Sequence, residues 1–241
     1  FSGAINLVYN ASRLQFIGNS ARFGGALYYS DLIWDQMLVR DFDYTFENNH
    51  ALAGGIVYFD SSDVETRRHI IEHRIAQINP NNNMATGYGP NMASKPSSLD
   101  MFEISFDEGS PFNYTYDPVQ KHIHFATYPD NEFIIKVKIL DAFNQTVIGI
   151  PEMAISLLKR SASVKLSGDQ NVVVSRETGV ATFTNSRISG ISGELLNLTI
   201  GGSFIDNTIE ISAMMGICEP GFFLQHYPAS NGSYPYDKCK P

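Results

Sequence analysis

The chain has 241 residues, 43% hydrophobic and 17% charged, with a formal net charge of −8. That length allows one large or two ordinary domains, and the apolar share is enough for packed cores and too high for a disordered chain. The acidic balance excludes nucleic-acid binding, which needs clustered lysine and arginine, and a basic membrane-surface helix. No run approaches the roughly 20 apolar residues of a membrane span; the stretch 133–140 is broken by Lys136 and Lys138.

No initiator methionine, basic n-region or signal-type apolar run opens the sequence. It starts inside a repeat, so the expectation is a processed or partial segment of something longer. Phe16-Ile17-Gly18-Asn19-Ser20-Ala21-Arg22-Phe23-Gly24-Gly25-Ala26-Leu27-Tyr28 is echoed 30 positions later by Phe46-Glu47-Asn48-Asn49-His50-Ala51-Leu52-Ala53-Gly54-Gly55-Ile56-Val57-Tyr58. Phe, Asn, Ala, the Gly-Gly pair and Tyr coincide. A period between about 20 and 50 residues marks a solenoid or array. Gly-Gly permits a tight corner, the β-branched and aromatic run after it suits a strand, and one Asn per repeat can stack into a ladder. Weaker echoes lie at Phe1-Ser2-Gly3-Ala4-Ile5, offset 22 from Phe23, and at Asn83 to Gly89, which reads as Asn49 to Gly55 at an offset of 34 with one Gly lost. The strands expected are 4–9, 13–17, 26–29, 37–42 and 56–59.

This pattern resembles the repeat of the polymorphic outer-membrane proteins, which also occurs in large extracellular proteins of algae, ciliates and other protists. The likeness covers residues 1 to about 60 well and 75 to 95 loosely. Tyr88-Gly89-Pro90-Asn91-Met92-Ala93-Ser94-Lys95-Pro96 is similar to the linker that closes the solenoid in those proteins, and Cys218-Glu219-Pro220-Gly221-Phe222 to the opening of their EGF-like cysteine-rich repeats. The resemblance implies a right-handed parallel β-helix and an extracellular or cell-surface location.

Residues 62–78 read as a helical insertion, with Ser62 and Glu65 as a capping box and Val64, Ile71, Ile75 and Ile78 at helical spacing. The turn-rich segment 79–98 closes the first domain, 1–98. Over 99–215 the pattern changes to longer alternating strands, at 102–106, 122–125, 135–139, 172–174, 180–183, 196–200 and 209–211. Strands at about ten-residue spacing suggest an antiparallel, Ig-like β-sandwich. The stretches Phe133 to Val147 and Gly179 to Gly193 resemble strand pairs of Ig-like surface modules. Residues 216–241 form a cysteine-containing tail. Cys218 and Cys239 fit one local bridge of a secreted protein, or each pairs with a cysteine beyond Pro241.

Reactive constellations are sparse. His69-Ile70-Ile71-Glu72-His73 matches the inverted zinc motif, with Glu152 at the right sequence distance for a third ligand. However, on a helix both histidines lie away from the apolar stripe, which favours a solvated face. Asp31, Asp35, Asp41, Asp43 and Arg40 could furnish a polysaccharide-cleaving groove, but few coils are available to build one. Asp141 and Asp169 fall in turns of a kind that can bind calcium, and His122 and His124 share one strand face. No Ser-His-Asp set, phosphate loop or dinucleotide fingerprint is present, so no catalytic, cofactor or metal residue is assigned.

Five sequons stand out: Asn10-Ala11-Ser12, Asn113-Tyr114-Thr115, Asn144-Gln145-Thr146, Asn197-Leu198-Thr199 and Asn231-Gly232-Ser233. They imply N-linked glycans. The reading is a non-enzymatic extracellular structural protein, a subunit of a glycosylated fibre or coat that polymerises head to tail through its ends. A membrane-anchored adhesin or receptor ectodomain is the alternative, and a carbohydrate-active β-helix enzyme is another.

Overall fold

The computed structural model describes residues 13–30, 43–61, 64, 72, 79–106, 113–205, 207–218, 221–229 and 234–240. The chain is all-β and divides into two compact units, Phe1–Lys95 and Pro96–Pro241. The expected strands at 4–9 and 37–42 lie outside the described residues. So does the helical stretch, apart from Val64 and Glu72, both of which are helical.

In the first unit eight short strands form three parallel ladders. β1 (Arg13–Ile17), β3 (Asp43–Glu47) and β6 (Asn79–Asn81) make one; β2 (Leu27–Tyr29), β5 (Val57–Phe59) and β8 (Met92–Ser94) make the second; β4 (His50–Ala53) and β7 (Met84–Tyr88) make the third. Ser20 and Phe23 extend the third ladder by parallel bridges to His50 and Ala53. The register places Phe16 on Phe46 and Tyr28 on Tyr58, the residues that coincide in the repeat. Like therefore packs on like. The Phe16 and Phe46 rings stack at 5.1 Å, Tyr28 and Tyr58 at 5.8 Å, and Tyr29 and Phe59 at 5.5 Å. Phe46, Ile56, Val57 and Phe59 are fully buried.

The glycine pair has two separate causes. Gly24, Gly54 and Gly89 turn the chain at φ of +62°, +68° and +66°, a region that side chains disfavour. The second glycine is a matter of space: a Cβ on Gly55 would lie 2.1 Å from the Pro90 carbonyl oxygen of the next repeat. This corrects the alignment of the third repeat. Gly54 matches Gly89, not Tyr88, and Pro90 stands in the place of Gly55. The ladder shifts from an offset of 34 at His50↔Met84 to 35 at Ala53↔Tyr88, so the extra residue sits within β7 rather than at the corner. Pro90, in the last of the three described repeats, can carry a side chain because none of them follows it.

Asparagine supplies the polar spine. Asn49 is fully buried. Its Oδ1 accepts from the backbone N–H of Asn19 at 3.0 Å and from the Asn19 side chain at 2.8 Å. Its Nδ2 donates to the Phe16 carbonyl at 2.9 Å and to Asn83 Oδ1 at 2.9 Å. Asn83 repeats the pattern, accepting from the Asn49 N–H and donating to the Phe46 carbonyl. Asn49 is thus satisfied from both sides, by Asn19 and Phe16 in one repeat and by Asn83 in the next.

The second unit holds two larger sheets. In chain order its strands are β9 (Pro96–Phe106), β10 (Tyr114–Asp117), β11 (His122–Thr127), β12 (Glu132–Asp141), β13 (Ala154–Lys159), β14 (Lys165–Ser167), β15 (Asn171–Val173), β16 (Val180–Ser189), β17 (Leu195–Gly201), β18 (Ile209–Met215), β19 (Phe223–Tyr227) and β20 (Tyr236–Lys240). One sheet runs β10-β11-β18-β17-β13-β15 and the other β14-β16-β12-β9. Strict alternation in β12 buries Phe133, Ile135, Val137 and Ile139, as period-two geometry requires. Phe125 of β11 meets Phe106 and Phe133 of the opposite sheet at 5.3 and 5.8 Å.

The sequence suggests a purely antiparallel sandwich, and here the structure differs: β11 and β18 pair in parallel, His122 opposite Glu210. A tight turn dictates antiparallel pairing only for strands adjacent in sequence. These two are distant, and what they share is the inward alternation of Ile123 and Phe125 beside Ile211 and Ala213. Asp141, buried at the end of β12, closes the following turn: its Oδ1 accepts the N–H groups of Phe143 and Gln145 at 2.9 Å each, with Asn144 at φ +58°.

Replacing Asn49 by Ala should destabilise the protein by about 3 kcal/mol, because the Asn19 N–H loses its acceptor and the Phe16 carbonyl its amide donor in or near the core, while Asn83 Oδ1 keeps the backbone N–H of position 49. Asn19→Ala, at an exposed site, should cost about 1 kcal/mol. Urea midpoints of the two variants check the order.

Candidate functional site

The tail is a hairpin of β19 and β20 closed by the Cys218–Cys239 disulfide, with Cα atoms 5.5 Å apart. Closing a loop across 21 positions contributes about 3 kcal/mol on the chain-entropy model. A second device fastens the hairpin to the four-stranded sheet. Asp237 is buried, and its backbone N–H donates to the Gly190 carbonyl at 3.0 Å. Its carboxylate accepts the Ser192 N–H at 2.8 Å and lies 2.8 Å from Nδ1 of His226. Burial pushes this carboxyl upward, but the hydrogen bonds from Ser192 and His226 outweigh it and hold its pKa below the ordinary value of 3.8. Lys238 reaches Asp130 at 2.9 Å, and Lys165 donates to the Tyr236 hydroxyl at 2.9 Å. The turn-rich connection between Tyr227 and Tyr236, with Pro228 and Asn231-Gly232, was the sequence signal for a chain reversal here; nothing in the sequence marks Asp237 as buried.

The sequon residues described are Asn113, Asn144 and Asn197, and all three are exposed. Asn113 immediately precedes β10, Asn144 lies in the turn organised by Asp141, and Asn197 sits on the outer face of β17. Asn10 and Asn231 fall outside the described residues. At Asn197, which is exposed, the side-chain oxygen accepts from Ser212 Oγ at 3.0 Å, a bond that does not use Nδ2, the atom that carries an N-linked sugar.

Ser212 Oγ also lies 2.9 Å from Nε2 of His122, a distance at which serine and histidine form a nucleophile and its base. The polarity here is reversed. An amide oxygen only accepts, so the Ser212 hydrogen is committed to Asn197, and the imidazole N–H donates to the serine oxygen. A hydroxyl held in this way is not being deprotonated. His124 stacks on His122 at 3.9 Å.

The other candidates do not converge. His69, His73, Asp31, Asp35, Arg40 and Asp41 lie outside the described residues, and Glu152 is exposed in a loop. Asp43 begins β3. Both oxygens of Asp141 are occupied within its own turn, Oδ2 accepting from the Gln145 side chain at 3.2 Å. Asp169 accepts from Thr184 at 2.6 Å. Among the described residues no three His, Cys, Asp or Glu side chains gather to hold a metal, and no helix is long and apolar enough to cross a membrane.

Neither a family model nor a curated protein sequence matches the chain. Among solved structures it is similar to domains 4 and 5 of the S-layer protein SbsC, at 11% identity and a TM-score of 0.27, over 52% of this chain and 55% of that one. Two longer SbsC structures, domains 4–9 and domains 1–6, match at 10% identity with TM-scores of 0.29 and 0.28, covering 57% and 56% of this chain and 17% and 15% of theirs. The matches thus span about half or less of those chains. At these TM-scores the likeness says nothing about function.

Because the folded Asp237 pKa is depressed, its contribution to docking is present above the ordinary value of 3.8 and is lost as pH falls below it. The protection of the β20 amides, taken relative to the intrinsic exchange rate at each pH, should therefore fall as the solution is acidified below that value. At neutral pH, Asp237→Ala should lower the opening free energy of the hairpin by about 2 kcal/mol, read by the same hydrogen-exchange measurement.

Proposed function

We propose that this chain is a non-enzymatic extracellular structural module, in which a short stack of parallel β-solenoid coils of the polymorphic outer-membrane protein-like kind is joined to an Ig-like sandwich. The observation that carries the reading is the fate of the repeat's signature residues. Asn19, Asn49 and Asn83 bond to one another, Gly25 and Gly55 accommodate the next repeat's carbonyl, and the coincident aromatics stack on themselves. Residues so used bind one repeat to the next, which supports a scaffolding role for this unit. The disulfide supports an oxidising, extracellular setting, and the exposed asparagines of three sequons support N-glycosylation.

Assembly is head to tail, through residues 1–10 and the tail. Phe222, Phe223 and Leu224 are all exposed at the tail, Phe223 at 58%. Such rings anchor interfaces, and a contact between unlike ends that does not close generates a filament.

Two measurements test this reading. Intact mass should fall on glycosidase treatment of the secreted protein; an unchanged mass removes the extracellular assignment. Sedimentation should show concentration-dependent polymers that Phe223→Glu dissolves. A wild-type chain that stays monomeric at high concentration ends the fibre reading.

A further inference from the structure

A groove of about 910 Å³ runs between the tail hairpin and the segment that links β13 to β14. This is near the top of the roughly 300–1,000 Å³ range of ligand clefts. Three tyrosines line it: Tyr227 and Tyr236, whose rings stack at 5.0 Å, and Tyr234, which is 56% exposed. Lys159 and Lys165 line it as well, with Gln170. No aspartate or glutamate does, although the chain carries 25 of them against 17 lysines and arginines. The groove is thus a local basic site on an acidic protein.

Its two lysines are placed differently. Lys165 is pinned, donating to the Tyr236 hydroxyl at 2.9 Å and lying 4.0 Å from that ring's centre. Lys159 is exposed and has no carboxylate partner among the described residues. The disulfide and the buried Asp237 hold the tyrosine-bearing hairpin in place, so the surface is largely pre-formed.

We propose that this groove binds an acidic carbohydrate, a chain of sugar units bearing carboxylate or sulfate groups. Pyranose rings have apolar C–H faces that pack on aromatic rings and equatorial hydroxyls that bond to amides and phenols, which matches tyrosines beside Gln170. The anionic groups match Lys159, a point charge on a flexible stem. Two lysines are too few for a nucleic-acid backbone, which relies on clustered phosphate contacts. This inference is independent of the head-to-tail assembly proposed above.

The test is native-gel affinity electrophoresis of the whole chain, stripped of its own glycans, through gels containing polygalacturonate, chondroitin sulfate, neutral dextran or single-stranded DNA. At least one of the two acidic polysaccharides should retard the protein, and added salt should weaken the effect. Tyr234→Ala should weaken it about tenfold, the worth of one aromatic face, and Lys159→Gln should weaken it several-fold and flatten its salt dependence. Both residues are exposed, so the variants should keep the wild-type circular dichroism and the intact disulfide. The proposal is overturned by no retardation in either acidic gel, by equal retardation in dextran or DNA, or by variants that bind as the wild type does. Sedimentation of the same variants reports on assembly separately.

Discussion

The first unit depends on one constraint: a buried amide must find all its partners. An unsatisfied polar group in a core costs about 1–3 kcal/mol, and Asn49 brings both a donor and an acceptor into a fully enclosed site. It is satisfied by an asparagine in the repeat before and another in the repeat after, together with the Phe16 carbonyl. Register follows from this. A slip by one residue would separate Asn49 from Asn19 and Asn83 and would also turn Phe46 from the interior to the exterior. Polar and apolar demands select the same alignment, and this consistency between levels favours one fold over its competitors.

The second unit applies the same logic with carboxylates. Asp141 and Asp237 are its buried acids among the described residues; Asp141 is satisfied by the N–H groups of its own turn and Asp237 by the Ser192 N–H together with His226. Asp141 fixes how the chain leaves β12. Asp237 fixes where the tail hairpin lies. Neither is available for chemistry, because the hydrogen bonds that make burial tolerable also occupy the oxygens. The disulfide acts on the unfolded state by shortening the free loop, whereas Asp237 acts on the folded state by orienting the hairpin it closes. Both are needed if the groove beside it is to be a defined surface.

The sequence showed the parallel repeats well, since a 30-residue offset that aligns Asn, Gly-Gly and Tyr is the physical register of the ladders. It misjudged the third repeat because the bulge within β7 moves the corner by one residue, and counting from Asn83 does not reveal which side of the bulge Gly89 lies on. The alternating strands β11, β12 and β18 were legible by period. Their directions were not, because alternation is the same read either way. Strand β15 was legible at 172–174, whereas β10, β13, β14 and the tail hairpin escaped notice because they are short or partly exposed, so their burial contrast is weak. Asp237 was invisible for another reason. A carboxylate between Tyr236 and Lys238 reads as a solvated charge, and only tertiary structure supplies the Ser192 N–H that lets it be buried.

These satisfied groups narrow where recognition can occur. The asparagines, the turn carboxylates and the Ser212 hydroxyl are committed to internal partners, and a group already holding its best partner gains little from a ligand that must first displace it. Two surfaces among the described residues are left uncommitted in a way that suits a ligand or partner: exposed rings on the tail, and a lysine beside tyrosines in a groove without carboxylates. The rings at Phe222 and Phe223 offer exposed apolar area, which suits another protein surface. The groove offers aromatic faces, an amide and unneutralised positive charge together, which suits a ligand that is itself amphipathic and anionic. The two surfaces share the hairpin, so loosening it would impair both, whereas substitutions at Phe223 and Tyr234 would separate them.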